Sequence, residues 1–318
     1  MRVSSVAAFL ALLLSTAAAV PALLAQGGRF SERLDILTHF APAYLALSLL
    51  ALPFALMAAR PGRQVALGLV ALGLAGSCAL IVPEFLADDG RTPAASSTAR
   101  PIKIVQFNVW GRNQRGDAAA RWVLAQSPDI VILQEGGPLR GALLAAGYHR
   151  TCQGCGAAVF SRGFQVIEPR EPENPRGFRS VVTLLDERGP FTVIAVHRHW
   201  PTRFALNNGQ AAEFEEVVSR YPRERMIIAG DFNSTPWSFA RRRDDRDFGL
   251  IRRTRALFTW PAEKISHNRL PAPFPYLPID HVYAGPGWAT VSVERGPRLG
   301  SDHYPVVVTL APRDAAAR

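Results

Sequence analysis

Cysteine is scarce in this sequence, with three residues in a chain of 318. So few cysteines exclude a disulfide-rich scaffold, and the single pair Cys152 and Cys155 lacks the second pair of ligands that a structural zinc site needs. The sequence also lacks a glycine-rich phosphate-binding loop, a nucleophile-elbow motif and internal repeats. These absences exclude nucleotide-binding P-loop proteins, serine hydrolases of the elbow type and repeat architectures.

Charged residues are missing from three stretches near the N-terminus, residues 3–28, 36–59 and 64–83. Each stretch reaches the roughly 20 apolar residues needed to cross a hydrocarbon core of about 30 Å. We therefore predict a membrane anchor over residues 1–86, with transmembrane helices at about 3–25, 40–59 and 64–83. Two alternatives stay open: the first stretch is also typical of a cleaved secretory signal, and all three could be buried helices of a soluble domain.

The short loop between the second and third stretches carries Arg60 and Arg63, which favours the cytoplasmic side for this loop. Arg29 and Arg33 in the preceding loop weaken the asymmetry. Whether the first stretch is kept or cleaved, the C-terminal part then lies outside the cytoplasm. The predicted location is the bacterial inner membrane, multi-pass, with the C-terminal part in the periplasm or outside the cell.

The composition changes after Pro83. Residues 87–101 contain little to bury and are predicted to be a linker, residues 102–312 one soluble domain, and residues 313–318 a tail. The chain has 36 Lys+Arg against 26 Asp+Glu, and most of the net charge of +10 belongs to the C-terminal part. This charge favours an anionic partner, although arginine-rich genomic composition explains it equally well.

Short β-branched runs alternate with amphipathic segments in the C-terminal part, which predicts an α/β domain whose sheets are covered by helices. The predicted strands are residues 102–107, 130–134, 157–160, 180–185, 191–196, 226–229, 279–283 and 306–310. The predicted helices are residues 118–126 and 210–220.

Polar residues stand at the ends of these strands, where an α/β scaffold presents groups for chemistry. In chain order they are Asn108, Glu135, His197, Asp231 with Asn233, Asp280, and Asp302 with His303. Each one alone would be explained as a turn residue or a structural histidine. Six such positions in one chain predict a shared functional site.

A resemblance to a known family rests on six segments: QFNVW (106–110), ILQE (132–135), VIAVH (193–197), GDFNSTP (230–236), PIDHV (278–282) and GSDHYP (300–305). They resemble, in order, the motifs of the endonuclease/exonuclease/phosphatase superfamily, which includes pancreatic deoxyribonuclease, abasic-site endonucleases, inositol-polyphosphate 5-phosphatases and neutral sphingomyelinases. With its hydrophobic N-terminal third, the chain looks like a membrane-anchored bacterial member. The resemblance implies a two-sheet α/β sandwich with the active site at one edge.

The activity implied by the resemblance is hydrolysis of a phosphoester by attack of water on phosphorus, assisted by Mg²⁺ with Mn²⁺ as a substitute. By the family pattern, Glu135 is the first candidate metal ligand. Asn108 assists it through the metal shell or a phosphate oxygen, and Asp302 is a further ligand.

The resemblance also implies the groups that handle the water and the phosphoryl group. Asp280 orients His303, and Asp231 aligns or deprotonates the water, while Asn233 and His197 contact the phosphoryl group. The choice of base between Asp231 and His303 stays open. The carboxylate that would pair with His197 is not identified by the sequence, although Glu168, Glu171 and Glu173 lie upstream of it.

The substrate is narrowed only to a nucleic acid, a nucleotide or a phospholipid-type phosphoester. Arg179 is a possible phosphate contact, with an ordinary ion pair as its alternative. Trp237, like Trp110 and Trp200, could stack on a substrate or pack within its loop.

Three further readings stay open. The Arg241-Arg242-Arg243 run is interpreted as a solvated helix face, with phosphate binding as its alternative. Cys152 and Cys155 could form a disulfide or remain free thiols. The chain as a whole could also be a catalytically silent membrane-bound binding or signalling module.

Overall fold

The computed structural model describes residues 3–89, 100–168, 177–263 and 271–313. It contains two compact units. The helical unit comprises Met1–Ala87 together with Ser234–Asp244, and the sandwich unit comprises Asp88–Asn233 together with Asp245–Arg318. Most of the predicted linker and of the predicted tail lies outside the described residues.

The helical unit contains α1 (Val3–Ala25), α2 (Glu32–Thr38), α3 (Ala41–Met57) and α4 (Gly62–Leu86). Two helical stretches, Ser4–Arg29 and Gly62–Leu86, are long and apolar enough to cross a membrane. The helices α2 and α3 meet the same criteria as a pair, with a bend of 55° between them. Length and composition therefore allow two spans, or three if the bent pair is one span.

The sandwich unit is built from two six-stranded mixed sheets. The strands of the first sheet are β1 (Ile102–Asn108), β2 (Ile130–Gln134), β3 (His149–Arg150), β4 (Ala157–Ser161), β11 (Trp288–Arg295) and β12 (Val306–Pro312). Their order is β11-β12-β1-β2-β4-β3, with β1 and β2 parallel.

The strands of the second sheet are β5 (Gln165–Glu168), β6 (Arg179–Asp186), β7 (Gly189–His197), β8 (Met226–Asp231), β9 (Ile251–Arg252) and β10 (Asp280–Ala284). Their order is β5-β6-β7-β8-β10-β9, with β7 and β8 parallel.

Alternation along the strands builds the layers. Ile102 and Ile104 of β1 pack between the two sheets, whereas Val105 and Phe107 pack on the opposite face. Residues of α5 (Gly116–Ala125) and α6 (Gly137–Ala145) share that outer cluster, and residues of α7 (Phe204–Ser219) cover the outer face of the second sheet. The result is a helix–sheet–sheet–helix sandwich, and the predicted fold class is confirmed.

All eight predicted strands are present, and β2 has the predicted bounds. The predicted helices correspond to α5 and α7, although α7 begins earlier than predicted. The sequence analysis missed α6, in which glycines weaken the helical signal. It interpreted residues 241–243 as a helix face but gave no bounds for α8 (Phe239–Asp247), whose run of arginines and aspartates has no apolar period. It also missed α2 and the strands β3, β5, β9 and β11.

Candidate active site

The candidate site lies where the layer between the two sheets changes from apolar to polar. Along β1, Ile104 belongs to the inter-sheet core, and the same alternation carries Gln106 and Asn108 onto this inner face. Along β8, Ala229 belongs to the core and Asp231 follows it with the same spacing. The polar ends of β1 and β8 therefore face the layer between the two sheets.

The Asp231 carboxylate is the centre of the polar cluster, and Asp231 is only 1% exposed. It accepts hydrogen bonds from Asn108 Nδ2 at 2.9 Å and from the backbone N–H of Asn233 at 2.8 Å. Its Oδ2 atom lies 3.6 Å from His303 Nε2 and 3.7 Å from His197 Nε2. One buried carboxylate is thus held by two asparagines and flanked by two histidines.

His303 is fixed by a second buried carboxylate. Its Nδ1 lies 2.8 Å from Asp280 Oδ2, while Asp280 Oδ1 accepts a hydrogen bond from Gln106 Nε2 at 3.0 Å. The backbone N–H of His303 donates to Ser301 Oγ, which itself donates to the carbonyl of Asn108. These contacts leave Nε2 as the imidazole atom directed toward Asp231.

The electrostatics of the cluster follow from its burial. Desolvation raises the pKa of Asp231, and the charge of Asp280 adds to this effect, while His303 and His197 oppose it. Burial alone would lower the pKa of His303, but the charges of Asp280 and Asp231 outweigh it and raise that pKa to about 10. His303 therefore carries the positive charge that offsets its two carboxylate neighbours.

The backbone around the site is constrained. A Cβ atom on Gly230 would collide with the carbonyl of Val196 on the neighbouring strand, so only glycine fits immediately before Asp231. Trp110, Glu135 and Asn233 have positive φ angles of 62°, 51° and 50°, which are uncommon for residues other than glycine. Such conformations cluster at functional sites because the surrounding structure must hold them.

The proposed metal ligands are placed differently from one another. Asn108 donates a hydrogen bond to Asp231. Glu135 is exposed and accepts a hydrogen bond from Gly111 N–H at 2.9 Å. Asp302 Oδ2 lies 3.4 Å from Trp260 Nε1, and its charge contributes to the raised pKa of His303. Within the described ranges, one group of carboxylates and histidines is close enough to hold a metal ion, namely Asp231, Asp280 and His303.

The structure corrects the expectation for Trp237. This side chain is 1% exposed, so its ring faces are not open to a substrate. It belongs to Ser234–Asp244, the segment that is folded in the helical unit. Arg241, in the same segment, is also buried and pairs with Asp244. The interpretation of the arginine run as a solvated face is therefore wrong for Arg241, whereas Arg243 is exposed as expected.

Arg179 forms an ion pair with Glu213 at 2.8 Å, the alternative left open by the sequence. Trp200 is 46% exposed and packs edge-on against Trp260, with ring centroids 6.1 Å apart. Because Trp260 reaches Asp302, Trp200 is the more accessible end of an aromatic pair beside a proposed site residue.

A carboxylate partner for His197 is present in Asp231 itself, at 3.7 Å. Of the three upstream candidates, Glu171 and Glu173 lie outside the described residues, as does the side chain of Glu168. Cys152 and Cys155 form a disulfide bond within the loop that connects β3 to β4.

The sequence analysis assigned no role to three residues that support the site. Gln106 bridges Gln134 and Asp280, and Ser301 links His303 to the backbone of Asn108. A glutamine inside an otherwise apolar strand was the available signal, since a buried amide needs partners.

The fold and this constellation together describe an α/β sandwich that holds a buried cluster of carboxylates and histidines between its two sheets. The sequence profile of the Endonuclease/Exonuclease/phosphatase family matches residues 105–303, and the chain belongs to this family. A comparison of the sequence with curated proteins found no match.

Solved structures share the fold. An endonuclease/exonuclease/phosphatase from Bacteroides vulgatus is similar with a TM-score of 0.52 and 18% identity, over 68% of this chain and 100% of that one. The endonuclease domain of TRAS1, a telomere-specific non-LTR retrotransposon, has a TM-score of 0.52 and 15% identity over 68% and 100% of the two chains. The human Nocturnin catalytic domain has a TM-score of 0.50 and 17% identity over 67% and 95%.

Proposed function

We propose that this protein is a membrane-anchored, Mg²⁺-dependent phosphoester hydrolase. The observation that carries the proposal is the buried Asp231 carboxylate, held by Asn108 and Asn233 and flanked by His303 and His197. Burying a carboxylate is unfavourable, and a cluster of facing titratable groups at a strand edge is typical of catalysis. Membership of a family of phosphoester hydrolases supports the same reaction class.

In the proposed reaction, Asp231 aligns the attacking water and accepts its proton. Asp280 fixes the Nδ1 side of His303, so that Nε2 faces the reacting groups and donates to the phosphoryl group. The side chain of His197 is 24% exposed, which leaves its imidazole accessible to a phosphate oxygen. Asn233, which is hydrogen-bonded to Asp231, contacts the phosphoryl group as a further donor.

The residue types of the proposed metal site suit Mg²⁺, because carboxylate and amide oxygens are the ligands that this cation prefers. These ligands come from the family pattern and differ from Asp231, Asp280 and His303, the described side chains that lie close enough together to hold an ion. Glu135 and Asp302 would supply the carboxylates and Asn108 the amide oxygen. When bound, the cation would neutralise phosphate oxygens and stabilise the charge on the leaving oxygen. Mn²⁺ is the expected substitute.

The topology proposal is that the C-terminal part lies outside the cytoplasm, in the periplasm of a bacterial cell or beyond it. Asp35 in the α1–α3 connection accepts hydrogen bonds from the backbone of Phe239 and Ala240, which supports assigning both segments to one side of the membrane. The Arg60 and Arg63 loop then lies on the opposite, cytoplasmic side. A reporter active only outside the cytoplasm, fused after Arg318, is expected to be active, and activity of a cytoplasm-only reporter there would overturn this topology.

The proposed substrates are phosphoesters of nucleic acids, nucleotides or phospholipids. The test uses the intact protein in detergent with Mg²⁺ or Mn²⁺, assayed against DNA, RNA, phosphodiester lipids and phosphomonoesters. Hydrolysis of at least one substrate is expected, with loss of activity on chelation and recovery on adding Mg²⁺. Failure to hydrolyse any of them would favour the silent binding module, and activity that resists chelation would exclude the proposed metal dependence.

A further inference from the structure

The segment Ser234–Asp244 begins immediately after Asn233, yet it is folded as part of the helical unit. It contains the loop after the GDFN motif and the start of α8. Its contacts with residues of the α1–α3 connection and of α4 connect the apolar helices to the chain that carries Asp231 and Asn233.

Asp35 of α2 caps the N-terminus of α8. Its Oδ1 accepts the backbone N–H of Phe239 at 2.7 Å, and its Oδ2 accepts that of Ala240 at 2.9 Å. The first N–H groups of a helix have no partner within the helix, and a carboxylate also interacts favourably with the helix dipole there. The next N–H, of Arg241, donates to Ser238 Oγ. The start of α8 therefore depends on a side chain from a distant helix.

His39 holds the loop before α8. Its Nδ1 lies 2.6 Å from Thr235 Oγ1, and Thr235 is buried. Only Ser234 lies between Asn233 and Thr235, so their Cα atoms are at most about 7 Å apart. Fixing Thr235 thus limits the positions available to Asn233.

Phe239 is enclosed by residues from both parts of the helical unit. A Cβ atom on Gly28 would collide with the Phe239 ring and with the Asp35 backbone, so a glycine is required where they approach. The guanidinium groups of Arg29 and Arg242 lie 5.8 Å and 5.4 Å from the centre of the same ring.

Arg242 also binds the end of α4. Its Nη2 donates to the carbonyl of Leu80 at 2.6 Å and approaches that of Ala79 at 3.5 Å. Pro83 lies inside α4 and has no N–H to donate to Ala79, so this carbonyl is available to an external donor. The segment is therefore attached to two separate parts of the N-terminal helices.

We propose that the N-terminal helical unit is a functional part of the enzyme rather than only an anchor, with Asp35 and His39 as positioning residues that hold Ser234–Asp244 and thereby Asn233 and Asp231. This inference rests on the proposed hydrolase function for its effect on activity. The claim that Asp35 orders the segment is independent of the hydrolase function.

The first test is limited trypsin digestion of the intact protein in detergent. Arg241, Arg242 and Arg243 are cleavage sites within the segment, and proteolysis follows local opening. Loss of a helix cap changes an ordering equilibrium by about 5- to 30-fold. Cleavage after these arginines is therefore expected to accelerate by this factor in Asp35→Ala. The acceleration should be smaller in Asp35→Asn, which keeps one acceptor oxygen. The control is Glu32→Ala, at an exposed position of the same helix, and it should be cleaved at the parent's rate.

The second test measures hydrolysis of bis(p-nitrophenyl) phosphate by the same intact variants. A fall in kcat that follows the order of the cleavage rates, with partial rescue in Asp35→Asn and an unchanged melting temperature, is the expected result. A general loss of folding would instead accelerate cleavage at arginines throughout the chain and lower the melting temperature.

The outcomes separate the two proposals. If Asp35→Ala resists trypsin at Arg241–Arg243 as the parent does, or is cleaved there but keeps the parent's kcat, the positioning role is wrong. If the parent hydrolyses no phosphoester, the proposed function fails, while the trypsin comparison still decides whether Asp35 orders the segment.

Discussion

Two buried charged side chains of the sandwich unit, Asp231 and Arg253, are equally inaccessible to solvent but have different surroundings. The Arg253 guanidinium donates to Thr290 Oγ1 and to the carbonyls of Ala284, Gly285 and Trp288. These acceptors are neutral, and although burial lowers the pKa of Arg253 to about 10, the side chain remains charged at neutral pH. Asp231 instead faces two histidines and a second carboxylate.

This difference distinguishes a buried charge that stabilises the fold, Arg253, from a buried charge suited to catalysis, Asp231. Hydrogen bonds from a buried guanidinium to carbonyl oxygens stabilise the turn that supplies those oxygens, and a carbonyl oxygen does not exchange protons at neutral pH. A charge surrounded by titratable groups is held in an arrangement that responds to a proton or a phosphate. Burial alone therefore does not identify the active site, whereas the nature of the partners does.

The largest expected effect tests the chemical side of this comparison. Asp231→Asn keeps the shape of the side chain but removes its charge, and we expect kcat to fall by at least about a hundredfold, as for the loss of a general base. We expect kcat to fall by a similar factor in Glu135→Ala and in His303→Ala, since the groups act as one unit. The measurement is kcat of the purified intact variants on the best substrate of the panel.

Asp186→Asn is the matched control for Asp231→Asn. Asp186 is a carboxylate of the same unit that pairs with Arg225, away from the candidate site residues in the sequence. It is expected to keep the parent's kcat. A folded Asp231→Asn variant with near-parent activity would contradict the proposed mechanism.

The sequence predicted much of this site because alternation and strand ends are local properties. Asn108, Asp231 and Asp280 each occupy a strand terminus that β-branched runs had already located. The hydrogen bond from Gln106 to Asp280 could not be predicted in the same way, because it joins strands of two different sheets. Which strands face each other across a sandwich depends on topology, which a local pattern does not encode.

The segment after Asn233 shows a second limit. Arg241 and Trp237 lie in a stretch whose charge suggests a solvated surface, yet both are buried. Their burial accompanies the folding of Ser234–Asp244 with the N-terminal helices, which lie far away in the chain. The three N-terminal charge-free stretches are helical in the structure, because long apolar runs favour helices, whereas their role as membrane spans stays a prediction.

An intermediate effect tests the structural side of the comparison. Arg253→Met leaves buried carbonyls without their donor, and we expect a loss of about 2 kcal/mol in the free energy of unfolding, with kcat of the folded protein unchanged. A loss of this size corresponds to a fall of about 4–8 °C in the melting temperature for a domain of this size. The control is Arg121→Met, at an exposed position of α5. A large fall in kcat at unchanged stability would mean that Arg253 is not purely structural.

The smallest expected effect concerns the edge of the site, where Trp200 packs against Trp260 and remains 46% exposed. Stacking of one base on an aromatic side chain contributes about 1–3 kcal/mol, so Trp200→Ala is expected to raise KM for a nucleic-acid substrate about tenfold with little change in kcat. Trp200→Phe should recover most of the affinity, and Leu144→Ala, an exposed apolar residue of α6, should change neither constant. Because lipid headgroups offer no aromatic face, a KM change confined to DNA or RNA would identify stacking on bases. Equal KM values for Trp200→Ala and the parent on every substrate would restrict Trp200 to packing and leave substrate binding to the polar residues around Asp231.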